Sequence, residues 1–141
     1  MPELPEVETI VRGLRAKVLQ RTFVDVWTDF KKMVKKPESF KKFTGNLKGK
    51  KIIGVKRRGK NIIFNLSGGF SMLAHQKLTG HLLYGEWIRK GGKWESRGNR
   101  FLKDRVNTYI HLMFFLDNGK MIAFSDLRKF GKVLLLSTEE I

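Results

Sequence analysis

The chain has 141 residues, enough for one domain, and its 29 Lys and Arg residues against 13 Asp and Glu give a formal net charge of +16. Such an excess of positive charge attracts polyanions strongly. Because 41% of the residues are hydrophobic, including 11 Phe and 3 Trp, the composition excludes a coiled coil and a disordered basic tail. The absence of cysteine excludes a disulfide scaffold, an iron–sulfur cluster, Cys-ligated zinc and a thiol nucleophile. With only three dispersed histidines, we expect no metal site and no cofactor.

Nothing in the sequence indicates a secreted or membrane protein. The N-terminal MPELPEVETI carries acidic residues where a signal peptide needs cations and an apolar run. The longest apolar run, Ile110–Leu116, is far shorter than the ~18 residues of a membrane span and is interrupted by His111. We therefore expect a soluble intracellular protein with no membrane contact.

The first predicted element is an amphipathic helix over about Pro5–Leu19. Pro5 suits the first turn of a helix, and Glu6 and Glu8 lie where the helix dipole favours negative charge. The apolar residues of this segment recur at helical spacing; they are Val7, Ile10, Val11, Leu14 and Val18. One face of the helix is thus expected to pack on the rest of the domain.

After Arg21 the hydrophobic period changes from that of a helix to that of a strand. The Asn118-Gly119 pair is a strong hairpin signal. We expect an α+β, mainly β fold: a two-sheet antiparallel β-sandwich of about eight strands with a leading N-terminal α-helix. The predicted strands are Thr22–Trp27, Lys51–Lys56, Asn61–Leu66, Gly69–His75, Gly80–Tyr84, Asn107–Leu116, Lys120–Ser125 and Lys132–Leu136.

Positive charge is concentrated in the predicted connections. Residues 31–60 hold thirteen Lys or Arg and one acid, Glu38, and a turn or two of helix is expected within Glu38–Phe43. The residues 85–105 form a second basic connection that contains two tryptophans. Such cations either form a solvated face or track phosphates, and their density favours nucleic-acid binding. Aromatic residues near them could stack on bases, but most are expected in the core.

Pro2 points to covalent chemistry. Removal of the initiator Met would expose a secondary amine, and an α-amino group titrates near pH 8, so part of it is nucleophilic at pH 7. Its attack on the anomeric carbon of a sugar would give an iminium, and Glu3 and Glu6 could serve as acid and base. The same residues also make an ordinary helix start, so spacing alone leaves both interpretations open.

Three motifs resemble the formamidopyrimidine-DNA glycosylase family, which is related to endonuclease VIII. These are PELPEVE at the N-terminus, RRGK before an apolar strand, and DLRKFG near the C-terminus, and the match runs in register over essentially the whole chain. The resemblance implies a β-sandwich with a leading helix, as the strand pattern does. It also implies that residues 1–141 form the single N-terminal catalytic domain, with the helix-two-turn-helix and zinc-finger domains of the family absent.

The resemblance also implies roles for particular residues. Pro2 would be the Schiff-base nucleophile, Glu3 the proton donor that opens the deoxyribose ring, and Glu6 their support. Lys60 would contact the phosphate beside the lesion and assist β-elimination; without the family it would be read as a hairpin cation. Leu78 would fill the space of the flipped base, Arg128 would reach the partner base and Phe130 would wedge into the duplex. The resemblance implies contacts with DNA for six residues in all: Arg57, Arg58, Leu78, Tyr109, Arg128 and Phe130.

The implied function is base-excision repair of oxidised purines and abasic sites by a DNA glycosylase/AP lyase. In this short form β-elimination should dominate, because the family's zinc finger assists the second elimination. The implied partner is damaged duplex, abasic or single-stranded DNA, bound by a monomer in a bacterial-type cytoplasm, associated with the nucleoid. Two alternatives are a non-catalytic DNA-binding module that keeps the fold and a basic RNA-binding protein of ribosomal type.

Overall fold

The structure is a computed structural model that describes residues 4–75, 80–97, 109–126 and 131–140. Two α-helices are present in this part of the chain, α1 (Leu4–Val18) and α2 (Phe40–Leu47). The strands of the described residues are β1 (Phe23–Thr28), β2 (Val34–Lys36), β3 (Ile52–Arg58), β4 (Asn61–Leu66), β5 (Phe70–His75), β6 (Gly80–Gly85), β7 (Trp87–Lys90), β8 (Lys93–Ser96), β9 (Ile110–Leu116), β10 (Met121–Asp126) and β11 (Lys132–Ser137).

The strands form a two-layer sandwich. One sheet has the order β1-β9-β10-β6, the other the order β2-β11-β5-β4-β3, and β7 and β8 form a separate hairpin. Neighbouring strands are antiparallel except β2, which pairs in parallel with β11. The expected two-sheet, mainly β fold with a leading helix is therefore confirmed.

The main core lies between the two sheets and is closed by both helices. Phe114 of β9 packs edge-on against Phe23 of β1 at 5.7 Å and against Phe43 of α2 at 6.5 Å. From α1, Val11, Leu14 and Val18 join the same cluster. The apolar stripe predicted for the first helix is thus its buried face, and the helix begins and ends one residue earlier than expected.

The outer face of the four-stranded sheet is also buried, because the β7–β8 hairpin covers it. Trp87 and Trp94 of the hairpin form a second apolar cluster with Ile110 and Met113 of β9 and Ala123 of β10. Strand β9 is therefore covered on both faces, which explains why all its residues except His111 are apolar and do not alternate with polar ones.

The expectation of about eight strands was too low, since the described residues contain eleven. The three additional strands are β2, β7 and β8. Strand β2 has three residues, two of them Lys, so it carries no alternating pattern of its own. In β7 and β8 only Trp87 and Trp94 are buried, and the cations between them resembled a solvated connection.

The second helix also differs from its prediction in position. Helix α2 starts after the cap residue Ser39 and continues to Leu47, whereas one or two turns within Glu38–Phe43 were expected. The Ser39 hydroxyl accepts a hydrogen bond from the backbone N–H of Lys42 at 3.3 Å. The helix is longer than its short apolar pattern indicates because Phe43 and Leu47 are buried in the core.

Candidate active site

Helix α1 and strand β3 lie side by side and run in opposite directions. The Arg15 guanidinium donates a hydrogen bond from Nε to the carbonyl oxygen of Val55 at 2.9 Å, in the middle of the strand. Closer to the N-terminus of the helix, Glu8 forms an ion pair with Arg57, the residue before the last one of β3. The N-terminus of α1, which begins at Leu4, is thereby directed to the end of the sheet where β3 turns into β4.

Arg57 joins the helix to this turn. Its Nε donates to Glu8 Oε2 at 2.9 Å, and its Nη1 donates to the carbonyl oxygen of Gly59 at 3.1 Å. The hydrogen bond from Arg57, together with the charges of Arg57 and Arg12, holds the pKa of the Glu8 carboxyl below its usual value. The guanidinium therefore positions the turn against α1 in addition to presenting positive charge.

The β3–β4 turn presents a lysine beside an asparagine–histidine pair. Gly59 adopts a φ of +61°, a left-handed conformation that suits glycine, and Lys60 follows it with a half-buried side chain. Arg58, before the turn, is exposed. Asn61 is the next residue, and its Oδ1 is hydrogen-bonded to Nδ1 of His75 on the neighbouring strand.

The strands β10 and β11 are joined at the same end of the molecule by a buried carboxylate. Asp126, with 0% of its surface exposed, accepts a hydrogen bond through Oδ2 from the backbone N–H of Gly131 at 2.5 Å. The backbone N–H of Asp126 in turn donates to the carbonyl oxygen of Tyr109 at 2.8 Å. A Cβ at Gly131 would collide with the ring of Phe124 and lie 2.9 Å from Asp126 Oδ2, so only glycine fits there.

Strand register brings these features together. Asn61 pairs with His75, and His75 pairs with Lys132, the residue after Gly131. Because Gly131 is bonded to Asp126, the end of β10 in one sheet lies against the ends of β4, β5 and β11 in the other. Three features thus lie at one end of the sandwich, which we call the site end. They are the start of α1, the β3–β4 turn, and the bonded residues Asp126 and Gly131.

The described part of the structure includes some of the predicted residues. Lys60, Arg57 and Arg58 lie around the β3–β4 turn, and half-buried Tyr109 lies just before β9. Glu6 is in the first turn of α1, but its side chain lies outside what the structure describes. The remaining predicted residues lie outside the described residues; they are Pro2, Glu3, Leu78, Arg128 and Phe130.

Sequence reasoning missed the residues that hold the site together. Asp126 and Gly131 are the first and last residues of the DLRKFG motif, which was a signal, but their bond is a tertiary contact. The Glu8–Arg57 pair joins positions 49 residues apart, and no local pattern indicates it. Within the described residues, no group of three or more His, Asp or Glu could hold a metal ion.

Neither of the described α-helices is long and apolar enough to cross a bilayer.

Comparisons with known proteins agree with this arrangement. Residues 1–133 match the sequence model of the formamidopyrimidine-DNA glycosylase N-terminal domain. Formamidopyrimidine-DNA glycosylases from Pelotomaculum thermopropionicum and Pediococcus pentosaceus are 35% and 36% identical over 141 and 140 residues, which are 100% and 99% of this chain. The chain spans about 45% of the length of these curated relatives.

Solved structures from Lactococcus lactis have the same fold. A complex between the Lactococcus lactis enzyme and DNA containing FAPY-dG superimposes with a TM-score of 0.78 at 27% identity, covering 98% of this chain and 45% of that one. A complex with DNA containing an abasic site gives a TM-score of 0.78 at 26% identity, over 99% of this chain and 45% of that one. The resemblance inferred from the three motifs is confirmed, and the chain belongs to the formamidopyrimidine-DNA glycosylase family.

Proposed function

We propose that residues 1–141 form a single catalytic domain of a DNA base-excision repair enzyme, a DNA glycosylase/AP lyase that acts on oxidised purines and abasic sites. The observation that carries this proposal is the direction of α1, whose N-terminus points to the site end beside the turn that holds Lys60. Pro2 and Glu3 directly precede this helix in the sequence. Relatives of this chain have been solved with FAPY-dG and abasic-site DNA, which supports the same substrate class here.

The proposed chemistry begins at the amine of Pro2. With the initiator Met removed, the amine attacks C1′ of the deoxyribose, Glu3 protonates the ring oxygen, and the C1′ substituent leaves, so that an iminium forms. Glu6 supports these two residues. Loss of a proton from C2′ then breaks the bond from C3′ to the phosphate oxygen, which Lys60 assists by holding that phosphate. Water finally hydrolyses the iminium and restores the amine.

The proposed DNA contacts surround this centre. Leu78 fills the space of the extruded nucleotide, and Arg128 and Phe130 contact the partner base and the stack. Arg58 and Tyr109, on either side of the site end, contact phosphates, while Arg57 is engaged with the first helix and the turn. The bond between Asp126 and Gly131 supports this role, because these two residues directly precede and follow the segment 127–130 in the sequence.

The net charge of +16 supports a polyanionic partner. We propose that the chain acts as a monomer in the cytoplasm, associated with the bacterial nucleoid, without a membrane or cofactor.

Borohydride trapping tests the proposal. An abasic duplex incubated with the full chain and sodium borohydride should give a covalent protein–DNA adduct, because reduction converts the iminium into a stable amine. Retention of Met1 turns the Pro2 nitrogen into an amide that is no longer nucleophilic and should abolish the adduct, while Pro2→Gly keeps an amine and should retain weak trapping. Tight binding of abasic DNA without any adduct would indicate the non-catalytic DNA-binding module. Tighter binding of RNA than of duplex DNA would indicate the RNA-binding protein of ribosomal type.

The cleavage products test the second part of the proposal. On abasic DNA the 141-residue chain by itself should give mainly β-elimination products, and cleavage of abasic sites should exceed excision of 8-oxoguanine from duplex DNA, since excision must also extract a stacked base. Gels of end-labelled DNA separate these products. Efficient 8-oxoguanine excision with mainly phosphate-terminated gaps would contradict this expectation.

A further inference from the structure

The tip of the β7–β8 hairpin lies at the site end. Gly92 and Lys93 of the tip line a small cavity of about 50 Å³ together with Asp29, which follows β1, and Ile110, which begins β9. Strand β9 is the neighbour of β10, whose last residue is Asp126. The hairpin leaves β6 at the far end of the sheet and crosses its outer face, so that its tip returns to the end where the proposed chemistry takes place.

Aromatic packing holds the hairpin in this position. The ring of Trp94 packs edge-on against Trp27 of β1 with a centroid distance of 5.2 Å. The Arg89 guanidinium lies over the same Trp27 ring at 4.4 Å and over Trp94 at 5.4 Å. At the base of the hairpin, Glu86 forms an ion pair with Lys120. The tip is therefore a supported surface rather than a free arm.

The charge of this surface is positive. Lys90 and Lys93 flank the two-glycine turn, and their side chains are exposed. Two exposed ammonium groups on one tight turn are complementary to phosphate oxygens.

The strand order places this surface to one side of β10, the strand that ends in Asp126. The tip contacts the ends of β1 and β9, and β10, which leads into the segment 127–130, is two strands from β1. From these observations, and resting on the proposed function, we propose that the β7–β8 hairpin binds backbone phosphates of duplex DNA on one side of the lesion.

The test combines a hairpin variant with duplexes of different length. Lys90→Ala/Lys93→Ala removes two exposed charges and leaves the Arg89–tryptophan packing in place. Lys17→Ala/Arg21→Ala is the matched control, because it removes the same charge from the last turn of α1 and the residues after it, at the opposite end of the sandwich. Each protein is bound by anisotropy to a long abasic duplex and to duplexes with one arm or the other trimmed to about two base pairs.

Trimming one particular arm should weaken binding of the unmodified chain about 3- to 10-fold, and trimming the other arm should do less. The hairpin variant should bind the long duplex as weakly as the unmodified chain binds the trimmed one, should be insensitive to that trimming, and should lose about two units of salt slope. The control should behave as the unmodified chain. If the hairpin variant instead responds to trimming as the unmodified chain does, the inference is wrong.

Borohydride trapping on the trimmed duplex separates this inference from the proposed function. If the unmodified chain forms no adduct with any abasic duplex, the proposed function fails. If adducts form but the hairpin variant and the control bind the long duplex with equal affinity, only the hairpin inference fails. Thermal melting of both variants checks that the folded fraction is the same.

Discussion

A single buried carboxylate links the two residues on either side of the segment 127–130, which carries two of the proposed DNA contacts. Asp126 accepts the N–H of Gly131, and four residues lie between them. Hydrogen bonds to charged groups contribute about 1.5–3 kcal/mol, and removing one partner leaves a buried donor unsatisfied. This residue therefore contributes to stability, and we expect it to matter for the proposed roles of Arg128 and Phe130, which stand between the two bonded residues in the sequence.

Replacement of this carboxylate should separate excision from lyase activity. Asp126→Ala should lower the free energy of unfolding by about 1.5–3 kcal/mol and reduce base excision more than cleavage of preformed abasic sites. Asp117→Ala, at an exposed pair with Arg21, should cost less than about 1 kcal/mol and leave that ratio unchanged. Denaturant unfolding and parallel assays on the two substrates measure both effects; an unchanged ratio in Asp126→Ala would refute the positioning role.

The Gly131 position admits a second test of the same contact. Gly131→Ala would place a Cβ against the Phe124 ring and close to the Asp126 carboxylate. Overpacking of a buried site costs about 1–3 kcal/mol, so the midpoint of denaturant unfolding should fall accordingly. The matched change Gly13→Ala meets no atom within 4 Å and lies in a helix, where alanine is favoured, so it should be neutral or stabilising.

Glu8 should show a depressed titration midpoint. Its carboxylate is bonded to Arg57, so the pKa in the folded chain lies below that in the unfolded chain. The contribution of this pair to stability is therefore complete above the ordinary glutamate pKa of about 4.3 and is lost as the pH falls through the lower folded value. In an NMR titration, Arg57→Ala should raise the midpoint of Glu8 towards the ordinary value, and Arg12→Ala should raise it less. Equal midpoints in all three proteins would contradict the bond.

At the scale of the element, α2 depends on its N-cap. The Ser39 hydroxyl satisfies the N–H of Lys42, one of the donors that a helix start leaves unpaired. Ser39→Ala should destabilise the chain by about 1 kcal/mol, whereas Ser39→Gly should cost only a few tenths, since glycine tolerates the cap position better. Urea unfolding of both variants gives the two values, and a larger loss in the glycine variant would argue against the capping role.

The hairpin element shows how charge can conceal a strand. Three of the four residues of β7 are exposed, and two of these are cations, so only the tryptophans indicate a buried face. Those tryptophans pack on a sheet formed from distant parts of the chain. The sequence pattern of the hairpin therefore identifies two strands only once the sheet on which the tryptophans pack is known.

At the scale of the whole molecule, positive charge is divided between the two ends of the sandwich. Lys31 and Lys32 follow β1 and precede β2, which places them at the site end. Arg58 and Lys60, around the β3–β4 turn, lie at the same end. Lys50 instead lies at the far end, over the ring of Phe70 at 4.4 Å. The dense cationic stretch of residues 31–60 is thus not one surface, and only part of it can face DNA bound at the site end.

Binding should depend steeply on salt. With the lysines of the hairpin tip included, about five to eight cations are available to phosphates, and log K should fall with log salt with a slope of about −4 to −7. A salt titration with an abasic duplex measures this slope. A slope near −1 would show that the site end makes few phosphate contacts.

Much of this protein follows from local sequence. The hydrophobic period determined α1 and eight of the strands to within a few residues, since burial on one face imposes that period. The three motifs indicated the family, and the net charge predicted a polyanionic partner. The family resemblance also singled out Lys60, Arg57 and Arg58, which lie around the β3–β4 turn, and their roles stay predictions.

Other features depend on contacts between residues far apart in the chain, and only the tertiary structure decided them. Arg57 pairs with Glu8 of α1, 49 residues away, Asp126 bonds to the residue before β11 of the other sheet, and the β7–β8 hairpin covers strands that come both before and after it. Such contacts leave no period in the sequence, since their energy comes from partners that only the folded chain brings together. The direction of α1, and with it the end of the sandwich at which the proposed chemistry takes place, belongs to this second group.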